Sequence, residues 1–231
     1  MKILVINPGS TSTKIAVYEN DTPRLVRNIR HTVDELSSFS HIIDQFEFRK
    51  NLVLKELEAD NIPFEFDAIV GRGGLLKPIP GGVYEVNDAM LDDILHAMRT
   101  HACNLGCLIA SELAALLPGC RAFIADPGVV DELDEIARIT GSPLMPRITI
   151  WHALNQRAIA RRYAAAQHVR YEDLDLIVCH LGGGISVGVH HHGKAVDVNN
   201  ALDGEGPFSP ERAGTLPAGQ LLLRSLHKRR T

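Results

Sequence analysis

A polar turn between two apolar runs is the first segment of the chain that could perform chemistry. Residues 3–6 are apolar, and an extended pattern resumes from Lys14 to Val17. Residues 7–14 carry one amide, four hydroxyls and the ammonium of Lys14, on a backbone bent by Pro8 and Gly9. Such groups can hold a phosphate in a strand-to-strand turn, so the segment predicts a phosphate-binding hairpin.

Two other interpretations of this turn compete with the first. An ordinary polar hairpin accounts for the same residues and stays open at this point. A nucleotide-binding P-loop is disfavoured, because its GxxxxGK[ST] segment leads into a helix whereas this turn leads into a second strand.

A second strand–loop–strand pattern lies between residues 174 and 198. Its apolar run ends at His180 and is followed by Gly182, Gly183 and Gly184. Glycines let a backbone approach an anion closely, because no side chain stands in the way. The two hairpins lie about 174 residues apart, which predicts a duplicated architecture that clamps a nucleotide between its halves.

Apolar periodicity and turn residues predict an α/β fold with a mixed sheet. The predicted strands cover residues 2–7, 14–19, 24–31, 66–70, 121–125, 176–180, 187–189 and 195–198. The predicted helices cover residues 41–60, 88–99, 104–117, 129–138 and 153–166. The best candidate for a domain boundary lies at 168–175.

Three polar residues stand where short predicted strands end: Arg72, Asp126 and His180. Ligands gather at the carboxyl ends of strands in open α/β sheets, so these residues are candidates for a binding site. Simpler interpretations remain: Arg72 as a solvated charge, Asp126 as a helix cap, and His152 as a capping or packed histidine.

The long polar stretch 197–215 has neither helical nor strand periodicity. Loops of this length inside compact domains are usually functional. Arg212, close to Gly214 and Thr215, could bind a phosphate through its planar guanidinium.

Composition limits the class of protein. The 231 residues are 45% hydrophobic, without an apolar run near the roughly 20 residues of a membrane span, and the start shows no signal peptide. We therefore expect a soluble, cytoplasmic protein with no membrane partner. The net charge of -4 comprises +4 from the last eight residues and -8 from residues 1–223. This acidic body argues against nucleic-acid binding.

The four cysteines are too few and too dispersed for a disulfide framework. His101, Cys103 and Cys107 could ligate a metal, but a fourth ligand at zinc spacing is missing, so all four thiols are predicted to be buried or half-buried. The run 190–192, three consecutive histidines, is predicted to be an exposed turn.

Four segments together resemble the butyrate kinase family, which groups with acetate kinase in the acetate and sugar kinase/Hsp70/actin superfamily. They are residues 7–14, 71–78, 180–184 and 199–214. The resemblance implies a duplicated RNase H-like (actin-like ATPase) fold, with mixed sheets flanked by helices. Its first domain would cover residues 1–170, and an incomplete second domain would cover 171–231. The implied reaction is reversible phosphoryl transfer between ATP and butyrate or a branched short-chain acid, with Mg²⁺, in a homo-oligomer.

The resemblance also implies roles for individual residues. Arg72 and Arg212 would position the carboxylate and the phosphoryl group, Asp126 would lie near Mg²⁺, and His152 would stabilise the transition state. His101 would be a further histidine of the cleft. The implied phosphate loops comprise Asn7, Ser10, Ser12 and Lys14 in the first, and His180, Gly182, Gly183 and Gly184 in the second.

Substrate size follows from a comparison within the resemblance. Gly73 and Gly74 stand where acetate kinases carry bulkier aliphatic residues, and Trp151 would form another wall. We expect a pocket for four-carbon or branched acids, which Gly74→Val would shift towards acetate or propionate.

Family members run on for roughly a hundred or more further residues, so the resemblance implies a C-terminally truncated chain whose basic tail looks like the result of a frame shift or a premature stop. Three functions remain open: an acid kinase acting on butyrate or on acetate or propionate, a truncated and inactive chain, and a non-catalytic nucleotide-binding module.

Overall fold

The computed structural model describes residues 1–97 and 99–227. Its backbone divides into two compact units, Met1–Val129 and Val130–Thr231. The domain boundary that the resemblance implies, between residues 170 and 171, stays a prediction. The basic tail at 228–230 lies outside the described residues.

The first unit contains a six-stranded sheet and four α-helices among its described residues. Its strands are β1 (Lys2–Pro8), β2 (Ser12–Glu19), β3 (Thr22–Arg30), β4 (Ala68–Arg72), β5 (Val83–Glu85) and β6 (Arg121–Ala125). Its helices are α1 (Val33–Ser37), α2 (Phe46–Ala59), α3 (Asp88–Leu95) and α4 (Asn104–Ala115), with a 3₁₀ turn at Ile42–Gln45 before α2.

The sheet is mixed, as the sequence predicted, with the order β3-β2-β1-β4-β6-β5. Strands β1, β4 and β6 are parallel neighbours, whereas β2, β3 and β5 pair antiparallel. The carboxyl ends of the three parallel strands therefore lie side by side at one edge of the sheet. The polar residues at the ends of these apolar strands, such as Arg72 and Asp126, lie at that edge.

Helices α2 and α4 supply the apolar core on one face of this sheet. Leu4, Ile6 and Ile69 pack there, together with Val53 of α2 and Leu105 of α4, and all five are fully buried. Because side chains alternate along a strand, Asn7 must point to the opposite face from Ile6. The position of the helices thus fixes which side chains of β1 are available to a ligand.

Local signals explain the helix limits. Thr32 and Glu35 form a capping box at the start of α1, and the Asn87 side chain accepts a hydrogen bond from the Met90 amide (3.0 Å) at the start of α3. The helix predicted over 88–99 ends earlier, at Leu95.

The second unit contains a three-stranded antiparallel sheet and two α-helices among its described residues. These elements are α5 (Ala153–Ala166), β7 (Asp175–Leu181), β8 (Ile185–His191), β9 (Lys194–Val198) and α6 (Ala218–His227). Ala160 and Ala164 of α5 pack against Tyr171 and the partly buried Leu176 and Val178. His192 and Gly193, both with positive φ, form the β8–β9 turn.

The helix predicted over 129–138 is wrong, because only a 3₁₀ turn forms, at Glu135–Arg138. Tertiary partners take the backbone groups that a helix would use. The Val130 carbonyl accepts from the Trp151 indole (2.7 Å), and the Asp134 amide donates to the Val196 carbonyl (2.9 Å). The apolar spacing in residues 129–138 therefore reflects burial of these side chains and does not indicate a helix.

Two predictions about the exposure of side chains were also wrong. His190 was expected in an exposed turn, but β8 continues past it and the side chain is fully buried, whereas His191 and His192 are exposed as predicted. Cys179 is exposed, while Cys103 and Cys107 are buried and Cys120 is half-buried. Among the described residues, no helix is long and apolar enough to cross a membrane.

Candidate functional site

Three polar side chains form a row across neighbouring strands of the first unit. Lys14 on β2 is the register partner of Asn7 on β1, so both side chains lie on the same face. Arg72, the last residue of β4, donates from Nη1 to Asn7 Oδ1 at 3.4 Å. The row presents two cations and an amide, and it excludes the interpretation of Arg72 as a fully solvated charge.

Asp126 follows β6 at the same edge of the sheet. Arg72 is the register partner of Ala125, the residue before Asp126. The Asp126 carboxylate is buried, and its Oδ1 accepts from the Gly82 amide at 2.9 Å. The backbone φ of 37° is uncommon for a residue other than glycine and is a form of strain that clusters at functional sites. No helix begins at this position, so the helix-cap interpretation is wrong.

The turn between β1 and β2 places Ser10 in solvent and Ser12 at the start of β2. The Gly9 amide donates to the Ser12 carbonyl at 2.7 Å, which closes the turn. Beneath it lies Arg49 of α2, which is fully buried and donates from Nη1 to the Ser12 carbonyl (3.2 Å) and to Thr13 Oγ1 (2.9 Å). Burial lowers the pKa of Arg49 to about 10.

Burial of Arg49 could not be predicted from the sequence, because a charged residue on a helix is usually solvated. Its hydrogen bonds attach α2 to the candidate phosphate-binding turn. Arg49 Nε also donates to Gln45 Oε1 at 3.0 Å, so neutral acceptors satisfy much of the guanidinium. A buried cation below the turn favours an anion above it, because charges interact more strongly where water is excluded.

Gly73 and Gly74 have a packing role that the sequence did not reveal. A Cβ on Gly73 would stand 2.6 Å from Pro127 Cβ, and one on Gly74 would stand 2.8 Å from Asn104 Cα. Asn104 then accepts at Oδ1 from the Leu75 amide at 3.0 Å, which fixes the loop after Arg72. These glycines allow close backbone contact, and their predicted part in substrate size stays a prediction.

His101 precedes α4 in the same unit. Its Nδ1 accepts from the Cys103 amide at 3.2 Å, which orients the ring. Burial raises the pKa of the Cys103 thiol, and the positive charge of Arg72 acts in the opposite direction, so this thiol lies within the electrostatic influence of Arg72. Burial raises the pKa of Cys107 to about 12. Within residues 1–97 and 99–227, no group of three metal-binding side chains occurs.

The second unit brings together two of the predicted histidines. The rings of His152 and His180 stack at 3.7 Å between centroids, with planes 6° apart. His152 occupies the N-cap position of α5 without a side-chain capping bond, and its Nδ1 lies 2.9 Å from Ser186 Oγ. A Cβ on Gly184 would stand 3.4 Å from His152 Cε1, so the glycine loop lies against this histidine.

The second predicted phosphate loop also contacts the segment that carries Arg212. The Glu211 amide and the Ser209 hydroxyl donate to the Gly183 carbonyl at 3.1 and 2.5 Å. Arg212 Nη1 donates to the Glu211 carboxylate at 3.1 Å. A Cβ on Gly183 would stand 2.6 Å from Glu211 Oε1, so the Glu211 side chain would have to shift to admit a larger residue here. Gly183, Glu211 and Arg212 thus belong to one local cluster.

Trp151 is buried among apolar side chains of the second unit. It packs with Val130, Leu133, Ala195 and Val198, and its indole nitrogen is hydrogen-bonded. These contacts assign the residue a core role, and its proposed part in a substrate pocket stays a prediction.

Sequence analysis missed a buried polar group behind His152. Ser186, Gln156 and His190 are fully buried, and Tyr171 is nearly so. The alternation of β8 contained a signal, because Ser186, Gly188 and His190 share one face of that strand. This alternation was not recognised because the run of three histidines, 190–192, resembles an exposed turn.

Acidification is expected to destabilise the second unit through His190. Burial, with a contribution from Arg157, lowers its pKa to about 4 from 6.5. Between these pH values the unfolded chain binds more protons than the folded one, so the free energy of unfolding falls as pH drops from 6.5 to 4. The loss is up to about 3 kcal/mol.

Urea unfolding at pH 7.5 and 5 measures this effect. The wild type should lose more stability on acidification than His190→Gln, whereas the exposed-site control His191→Gln should behave as the wild type. Equal pH dependence in the wild type and His190→Gln would contradict the prediction.

Comparison with curated proteins shows strong sequence similarity to proteins named butyrate kinase. The chain is 79% identical over 222 residues to a probable butyrate kinase of Bacteroides thetaiotaomicron, and 55% identical over 223 residues to butyrate kinase 2 of Clostridium acetobutylicum. The chain is thus similar to butyrate kinases over nearly its whole length. These matches cover 96% of this chain, which spans 63% and 62% of the two relatives' lengths. The butyrate kinase resemblance is therefore confirmed, although no protein-family model matches.

Comparison with solved structures shows the fold of this chain. Acetate kinase of Porphyromonas gingivalis matches with a TM-score of 0.70 at 19% identity, covering 98% of this chain and 64% of that one. A propionate kinase of Francisella tularensis matches with a TM-score of 0.67 at 17% identity, covering 97% and 64%. At this identity the likeness establishes the fold, and the predicted α/β class, an RNase H-like (actin-like ATPase) fold with mixed sheets flanked by helices, is confirmed.

Proposed function

We propose that this chain carries the acid-binding and phosphate-binding residues of an ATP-dependent carboxylate kinase. The reaction is reversible phosphoryl transfer between ATP and butyrate or a branched short-chain acid, which yields butyryl phosphate and ADP. The observation that carries the proposal is the row of Lys14, Asn7 and Arg72 at the carboxyl edge of three neighbouring strands. The likeness to proteins named butyrate kinase supplies the substrate class.

The chemistry of these residue types suits the reaction. A carboxylate is already ionised at neutral pH, so the reaction needs no strong base. Its obstacle is the approach of two anions, which cationic and hydrogen-bonding groups relieve by positioning them and spreading the charge. Arg72 and Lys14 supply such groups in the first unit, and Arg212 and His152 supply them in the second.

Asp126 fits a role near magnesium. Mg²⁺ is commonly bound through one or two carboxylates together with substrate phosphates and water. Asp126 offers one carboxylate whose Oδ1 already accepts a backbone hydrogen bond, which fixes its orientation. The ion would neutralise phosphate charge, and the protein's contribution is to hold this carboxylate at the strand edge.

Nucleotide binding is assigned to the two glycine-containing turns. The first exposes Ser10 next to Gly9, above the buried charge of Arg49. The second contains Gly182, Gly183 and Gly184 with His180. A purely nucleotide-binding module would not need the Arg72–Asn7 pair, which favours the kinase. A homo-oligomeric state and a cytoplasmic location stay predictions.

A hydroxylamine-trapping assay tests the proposal. The 231-residue chain is incubated with ATP, Mg²⁺ and acids from acetate to valerate, with the Bacteroides relative as a positive control. We expect acyl hydroxamate, most with butyrate or isobutyrate. Product from the relative but none from folded chain would contradict activity of this polypeptide, and a maximum with acetate or propionate would contradict the substrate class.

A further inference from the structure

Four hydrogen bonds in the second unit form a continuous line that ends at His152. The Tyr171 hydroxyl lies 2.5 Å from His190 Nδ1, and His190 Nε2 lies 2.9 Å from Gln156 Oε1. Gln156 Nε2 lies 2.8 Å from Ser186 Oγ, which in turn lies 2.9 Å from His152 Nδ1. The three middle residues are 0% exposed, so the protein decides where each hydrogen lies.

A backbone carbonyl fixes the direction of the line. Gln156 Nε2 is 2.9 Å from the Ser186 carbonyl oxygen, which can only accept. The amide nitrogen must therefore face Ser186, and Oε1 must face His190. It follows that His190 carries its hydrogen on Nε2 and accepts from the Tyr171 hydroxyl at Nδ1. A neutral His190 agrees with the lowering of its pKa by burial.

The same reasoning places the hydroxyl hydrogen of Ser186. Its Oγ accepts from Gln156 Nε2 at 2.8 Å and from the His152 backbone amide at 3.3 Å. A serine oxygen has two lone pairs, and both are engaged by these donors. The remaining group is the O–H, whose partner is His152 Nδ1. That nitrogen is then an acceptor, and the ring hydrogen lies on Nε2.

We propose that Ser186 and Gln156 are positioning residues that hold His152 as a neutral imidazole with its hydrogen on Nε2. Protonation at Nδ1 would direct a third donor at Ser186 Oγ, which the network disfavours. The stack with His180 fixes the ring plane as well. The catalytic consequence rests on the proposed function: His152 would act on the phosphoryl group as a neutral hydrogen-bond donor through Nε2.

The tautomer is measured without substrate, by nitrogen-15 NMR of histidine-labelled full chain at pH 7.5. In the wild type we expect a pyrrole-type signal for His152 Nε2 and a pyridine-type signal for Nδ1. Ser186→Ala removes the donor and should yield a mixture of tautomers. Gln156→Glu keeps the volume and the acceptor for His190, but its carboxylate takes the Ser186 hydrogen, so the His152 hydrogen should move to Nδ1.

Matched controls separate this effect from general perturbation. Gln167→Glu adds the same charge at the exposed end of α5, and Ser142→Ala removes a half-buried hydroxyl that lies outside the network; both should leave the His152 signals unchanged. An imidazolium or an Nδ1–H form in the wild type would overturn the proposal, as would unchanged His152 signals in folded Gln156→Glu. If that variant fails to fold, Ser186→Ala decides in the same way.

Activity provides a separate measure. Where the trapping assay detects turnover, Gln156→Glu should lower kcat about tenfold or more with KM for ATP and acid nearly unchanged. Absence of turnover in the wild type would count against the proposed function and leave the tautomer assignment standing, because the NMR measurement uses no substrate.

Discussion

Replacing Arg72 by alanine is expected to lower the rate of acyl phosphate formation by about 10²–10³-fold, the usual loss when one preorganised donor to a developing charge is removed. Arg72 ends β4 beside Asn7, and its side chain is only partly exposed. Alanine removes the guanidinium without touching the apolar core, so the unfolding transition should change little. The measurement is hydroxamate formation with butyrate, together with thermal unfolding of the same samples.

Arg121→Ala is the matched control for this prediction. Arg121 starts β6, the strand next to β4, and pairs with the exposed Glu85. Its loss removes the same charge at the opposite end of the sheet, and turnover should stay within about twofold because an exposed ion pair contributes little. Near-normal turnover in Arg72→Ala, or an equal loss in Arg121→Ala, would contradict the assigned role of Arg72.

Gly71→Ala is expected to cause the largest loss of stability of any single methyl addition considered for the first unit. A Cβ on Gly71 would stand 2.1 Å from the Gly106 carbonyl oxygen, where β4 meets the first turn of α4. Both contacting groups are backbone in regular elements, so neither can move without separating the strand from the helix. We expect a loss of about 3 kcal/mol or more in the free energy of unfolding.

Gly141→Ala is the control variant for Gly71→Ala, and chemical denaturation measures the free energy of unfolding of both. Nothing lies within 4 Å of a Cβ at Gly141, and its φ is not in the left-handed region. The free energy of unfolding should therefore stay unchanged or rise slightly, because alanine restricts the unfolded chain. A Gly71→Ala protein as stable as Gly141→Ala would show that β4 and α4 do not approach as closely as described.

The contact between β4 and α4 matters for the candidate site as well as for stability. Gly106 is equally constrained, since its Cβ would stand 2.4 Å from the Arg72 carbonyl oxygen. Gly73 and Gly74, the two residues that follow Arg72, lie close to Pro127 and Asn104. The glycines around Arg72 thus let its backbone lie tightly against α4. Gly74→Val would disturb this packing before it could report on substrate size.

Much of the fold was predictable from local pattern. The strands around the first turn, the long helix ending at Ala59 and the helix starting at Ala153 follow from apolar spacing. The predictions failed where the residue pattern does not correspond to the secondary structure that forms. Residues 129–138 have helical apolar spacing, yet Trp151 and β9 take their backbone groups. His190 sits in a run that looks like a turn, yet β8 buries it.

The sequence by itself determined which chemical groups the chain offers and in what order, because residue type and local spacing are properties of short segments. It therefore predicted the family, the α/β class and the candidate residues of both turns. The tertiary structure decided which groups meet: the row of Lys14, Asn7 and Arg72 depends on the register of strands distant in the chain. It also decided that Arg49 and His190 are buried, since desolvation is set by neighbours brought together only when the chain folds.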